Sequence, residues 1–142
     1  MNIVDFNDNS FTSTLEYKNF VRDNPLNANL NIRASAASEA IPVSDVRIIV
    51  SKDIGDYKVI FYDGYTDNSG MINRIKLPTP DINNNQEDIP KGTLYNIEAI
   101  YEKDNINRKY QVLMYPGICT VQNINIVPTL NVISVEDIYY GS

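Results

Sequence analysis

The strongest constraint on the fold is a change of period near residue 28. Before it the apolar residues keep no sustained rhythm, and after it they alternate. In ANLNIRASAA, Leu30, Ile32, Ala34 and Ala36 fall at every second position with polar neighbours between them, the pattern of a strand with one face buried. The same period recurs in DVRIIVSK, YKVIFYDG, MINRIKLP, TLYNIEAIYE, INRKYQVLMY and ICTVQNINIVP. Clusters of turn-forming residues separate these runs: Ile54-Gly55-Asp56, Thr66 to Gly70, Lys103-Asp104-Asn105 and Pro116-Gly117. Seven short strands at near-even spacing predict an all-β chain folded as a seven-stranded antiparallel β-sandwich. The many Ile, Val, Tyr and Thr residues fit pleated, half-buried surfaces. The longest predicted loop is PTPDINNNQEDIPKG, residues 78–92.

Three segments follow: an N-terminal arm with a short helix (1–27), the sandwich domain (28–128), and a C-terminal tail or extra strand (129–142). In the arm, Ser13-Thr14-Leu15-Glu16 has the form of a capping box that opens a helix, and Asp23-Asn24-Pro25 closes it. Phe6 and Phe11 precede it, and the tail ends with Tyr139 and Tyr140. These four aromatics are the expected assembly contacts. The arm either adds to a neighbour's sheet edge or covers an edge of its own domain, and the sequence leaves both open.

Elimination narrows the chemistry. A formal charge of −6, with the 12 basic residues scattered singly, argues against a general nucleic-acid binder, which needs clustered Lys and Arg. There is no histidine, so neither a Ser-His-Asp nor a Cys-His arrangement is available and the usual nitrogen ligands of zinc are missing. The one cysteine, Cys119, is read as a small buried hydrophobe rather than a nucleophile. No run approaches the ~20 apolar residues of a membrane span, and MNIVDFNDNSF lacks the basic and apolar regions of a secretory signal. The expectation is cytoplasmic synthesis, after which the protein either stays in the cell that makes it or reaches a cell surface, spore or phage particle by lysis, a dedicated apparatus or incorporation into a particle. A chain that had lost its original leader would look the same.

The stretch YTDNSG, residues 65–70, invites a calcium loop. Aligning Gly70 with the invariant glycine of an EF-hand puts Tyr65 at the first ligand position and Lys76 where a glutamate is required. The match fails at both ends. A site assembled from Asp53, Asp56, Asp63 or Asp67 stays open on sequence grounds, as does a paired-carboxylate glycosidase, although the acidic residues lie mostly in predicted turns. Residue types for a Lys–Asn or Lys–Asp isopeptide bond are present without a motif that marks a pair. The expectation is no enzyme, no cofactor and no metal.

Taken in order, AIPVSDVRIIVSK, YTDNSGMINRIKLP, LYNIEAIYE and CTVQNINIVP resemble the carboxypeptidase-regulatory-like, or transthyretin-like, β-sandwich family. The resemblance spans about residues 28–128. Its marks are Ala40-Ile41-Pro42-Val43 before a Val-rich strand and a Thr-Asp-x-x-Gly turn, here Thr66, Asp67 and Gly70. The nearest look is to a clostridial group that includes the N-terminal pre-domain of spore cortex-lytic enzymes, through Leu77-Pro78-Thr79-Pro80 and Gln122-Asn123. The family's usual Gly-Tyr before the penultimate strand is replaced here by Asp104-Asn105-Ile106-Asn107.

The resemblance implies an immunoglobulin-like or transthyretin-like sandwich that acts as a non-catalytic module. Three roles are expected. The first is a structural or interaction subunit of a cell-surface, spore or phage-type assembly. The others are a glycan- or protein-binding module using tyrosines such as Tyr62, Tyr65 or Tyr101, and a regulatory partner of a cell-wall hydrolase.

Overall fold

The computed structural model describes residues 1–37, 40–81 and 91–127. The tail, with Tyr139 and Tyr140, and the middle of the 78–92 loop lie outside the described residues.

All seven alternating runs form strands: β2 (Leu26–Ala36), β4 (Arg47–Ile54), β5 (Tyr57–Tyr65), β6 (Met71–Thr79), β7 (Thr93–Tyr101), β8 (Ile106–Met114) and β9 (Cys119–Asn125). Two short strands raise the count to nine among the described residues, β1 (Asn2–Asp5) and β3 (Ile41–Pro42). Strands of four and two residues are too short to display a period, so the alternation of the sequence does not reveal them. They form two sheets, one in the order β1-β5-β4-β7-β8, the other of β3, β2, β6 and β9.

The sandwich is not purely antiparallel. β1 runs parallel to β5, and β9 runs parallel to β2 in a ladder from Asn29↔Cys119 to Ser35↔Asn125. Parallel neighbours come from crossover connections rather than hairpins, and local alternation carries no record of strand direction. β2 is the centre of its sheet. The Ala34 N–H donates to the Gly70 carbonyl and the Val43 N–H donates to the Ala34 carbonyl, so β3 continues the edge that β6 occupies. The Ile126 N–H donates to the Ser35 carbonyl on the opposite edge, where β9 lies.

The inward positions meet between the sheets. Leu30, Ile32 and Ala34 of β2 and Ile124 of β9 pack with Ile48 and Val50 of β4 and with Tyr95, Ile97 and Ala99 of β7. Burial of each large aliphatic side chain contributes about 1.5–3 kcal/mol. The Tyr95 hydroxyl donates to the Pro78 carbonyl, and the buried surroundings push its pKa well above the usual tyrosine range.

The arm folds onto its own domain. β1 adds to the β5 edge, and two helices follow, α1 (Asn9–Thr12) and α2 (Leu15–Asp23). The cap of α2 is Thr14 rather than Ser13: its Oγ1 accepts from the Tyr17 N–H at 3.1 Å. Ser13 instead ends α1, with its hydroxyl donating to the Asn9 carbonyl. The predicted stop holds, because the Asn24 backbone and side-chain N–H groups both donate to the Phe20 carbonyl.

Candidate functional site

The acidic turn that suggests a ligand site is occupied by its own backbone. Thr66 is 3 % exposed, and its Oγ1 accepts from the Val46 N–H at 3.0 Å while donating to the Val43 carbonyl at 2.9 Å. A single carboxylate oxygen of Asp67, Oδ1, accepts from the Ser69 and Met71 N–H groups at 2.9 and 3.0 Å. Gly70 has φ +73, and a Cβ there would collide with the Ala34 carbonyl oxygen. The chain needs glycine for both reasons. Thr66, Asp67 and Gly70 together seat the β5–β6 connection against β2 and β3. Among the described residues no group of three or more His, Cys, Asp or Glu side chains is placed to hold a metal ion.

Phe11 is fully buried and Phe6 packs against the core. Phe6 stacks on Phe61 at 4.6 Å between ring centroids, and Phe11 meets the Tyr57 ring edge-on at 5.3 Å. Within the single chain, the arm packs on its own domain. The three tyrosines named for glycan do not share a surface. Tyr62 and Tyr101 are half-buried against the core, whereas Tyr65 is exposed on the outer side of β5.

Tyr65 borders a depression of about 420 Å³ with Arg47, Ile100 and Glu102. Its guanidinium is already engaged: Arg47 donates to both oxygens of Asp63, at 2.9 and 2.7 Å. The pairing holds the Asp63 carboxyl below the usual carboxylate range and raises the guanidinium further above neutrality. The rest of the five-stranded sheet's outer face is similarly mixed. Glu98 stands opposite Lys109 in the ladder, and the Asn96 and Asn107 amides bond within the face, to Gln111 and Glu98.

The outer face of the four-stranded sheet differs in kind. Among the described residues no strand in it carries an Asp or Glu: LNANLNIRASA, IP, MINRIKLPT and CTVQNIN contain Arg33, Arg74 and Lys76 as their only charges. The ladders place Asn29 between Lys76 and Cys119, and Arg33 between Met71 and Asn123. Asn31 is structural: its Oδ1 accepts from the Arg74 N–H at the β6 bulge and its Nδ2 donates to Cys119 Sγ. Cys119 is exposed on the outward side of β9 rather than buried as the sequence suggested. The amides of Asn27, Asn29, Asn123 and Asn125 are exposed. Sequence reasoning missed this face. Its signal was legible as the absence of acid from three separated strands of an acidic chain.

No protein-family model matches the chain, and no curated protein matches it. Among solved structures, the dioxygenase domain of a dioxygenase carbohydrate-binding protein fusion from Streptomyces sp. SirexAA-E is similar over 89 % of each chain, at 8 % identity and TM-score 0.50. Transthyretin from Sparus aurata is similar over 70 % of this chain and 89 % of its own, at 15 % identity and TM-score 0.46. Sea bream transthyretin in complex with thyroxine gives 70 %, 87 %, 15 % and 0.47 in the same order. At 8 % identity the likeness to the Streptomyces domain is one of fold.

Proposed function

We infer that this chain is a non-catalytic structural and interaction module, a subunit of a cell-surface, spore or phage-type assembly that joins copies through its sheet edge. The observation that carries this reading is β9. Among the described residues it pairs only with β2, and CTVQNIN holds neither a charge nor a proline. Natural edges are usually blunted by such residues, by bulges or by short length. The opposite edge shows the contrast, because β6 has Pro78, Lys76 and the bulge at Arg74. A strand added at β9 gains main-chain hydrogen bonds without a charge to desolvate.

The test uses strand geometry. Ile126 turns its N–H toward β2, so at odd positions such as Val121 the N–H faces away from β2. Val121→Pro removes an outward donor and spares the β2 ladder. Light scattering on the full chain is expected to show species above the 16.1 kDa monomer, reduced toward monomer by Val121→Pro. A wild-type chain that stays monomeric at high concentration overturns self-assembly through this edge. A second reading, carbohydrate binding, is favoured by the acid-free face of the same sheet.

A further inference from the structure

We propose that the outer face of the four-stranded sheet is a binding surface for an acidic, carboxylate-bearing polysaccharide. This rests on the carbohydrate-binding reading and gives it a location and a ligand class. The starting point is an asymmetry of charge. In a chain of net charge −6, one sheet has Arg33, Arg74 and Lys76 and, among the described residues, no carboxylate in any strand, while the other mixes Asp5, Asp53, Asp63 and Glu98 with Arg47, Lys52, Lys58, Arg108 and Lys109. The nearest acid before β6, Asp67, has its Oδ1 turned to the Ser69 and Met71 amides. At contact distance the local cations set the field, because the net charge is screened beyond about 10 Å at moderate salt.

The uncharged groups narrow the partner further. Each asparagine amide offers donors and an acceptor at once, the match for a sugar hydroxyl, and Asn27, Asn29, Asn123 and Asn125 present theirs from neighbouring strands. Along β2 the outward positions repeat every ~6.6 Å and the strands lie ~4.8 Å apart, which makes a flat grid suited to an extended chain. Single-stranded nucleic acid calls for aromatic stacking platforms, and the three outer strand faces carry no aromatic residue. A protein interface is built around aromatic and aliphatic anchors, whereas at the outward ladder positions of β2, β6 and β9 the large aliphatic side chains are Met71 and Val121, with Leu26 and Ile41 exposed only at the strand ends. A coding bias toward asparagine does not account for the pattern, since it gives no reason for acid to be absent from the same strands.

Affinity electrophoresis of the full chain in gels containing polygalacturonate, with neutral dextran as the comparison, tests the proposal. Polygalacturonate is expected to retard the wild type. Arg33→Ala with Lys76→Ala should weaken the interaction roughly tenfold, as for two lost solvent-exposed ion pairs. Lys58→Ala with Lys109→Ala, the same charge change on the other sheet, should leave it within about twofold. Asn29→Ala, which alters no charge, should weaken it by a few-fold. Equal losses from the two double variants, or no effect of Asn29→Ala, overturn the assignment to this face. Retardation by dextran without retardation by polygalacturonate overturns the acidic ligand and leaves carbohydrate binding standing. Retardation by neither overturns both.

Discussion

At the start of β5, Tyr57 and Phe61 join Phe6, Phe11, Tyr17 and Phe20 in a cluster held by ring contacts of 4.6 to 6.4 Å. At its end, Thr66 and Asp67 hold the backbone of Val43, Val46, Ser69 and Met71 by hydrogen bonds. Both regions fasten the same strand to the rest of the sandwich, and they do so by different physics. The aromatic side depends on volume and area removed from water, so it tolerates changes of shape better than losses of bulk. The turn side depends on direction, so it tolerates loss of bulk better than loss of an acceptor. The region that looks like chemistry in the sequence is the directional one, because polar side chains that cap backbone are the same types that bind ligands.

The largest expected effect lies on the aromatic side. Phe11→Ala should cost about 3–5 kcal/mol of unfolding free energy, read from the shift in urea midpoint, and Phe11→Leu should cost less. A loss below about 1 kcal/mol would show that the arm is not part of the folding unit, and the comparison would break. On the turn side, Thr66→Val keeps the volume and removes the hydroxyl. It leaves the Val46 N–H without its partner and should cost about 1–3 kcal/mol. Thr66→Ser, which keeps the hydroxyl, should recover most of that. If serine proves as damaging as valine, the site is held by packing and the distinction between the two regions fails.

The same contrast explains what could be read from the residues alone. Period two located all seven long strands, and the Gly55 and Gly117 turns fell where the sequence put them, with φ +58 and +73. β1 and β3 escaped because strands of four and two residues are too short to show a period, and the strands they pair with lie elsewhere in the chain. Ser13 and Thr14 are both capping types, and the unforeseen α1 decided between them by taking Ser13 for its own end. The acid-free face escaped for a topological reason. Asn29 and Cys119 become neighbours only once β9 is known to lie beside β2, and nothing local at either position reports the other. Phe6 and Phe11 were noticed as apolar, but whether their partner was Phe61 or a second copy was not a property of the arm's own sequence.

The smallest effect separates the two meanings of the acidic turn. Asp67 uses one oxygen for both of its backbone bonds, Oδ1 to Ser69 and Met71. An asparagine carbonyl oxygen can stand in the same place and accept the same two donors. Asp67→Asn should therefore stay within about 0.5 kcal/mol of the wild type, while Asp67→Ala should lose about 1 kcal/mol for the missing acceptor. Chemical denaturation in the presence and absence of calcium reads both quantities. A calcium-dependent midpoint that vanishes in Asp67→Asn would mean that the carboxylate charge is used by a ligand. Equal behaviour of the wild type and Asp67→Asn, with alanine alone weakened, assigns the residue to the turn.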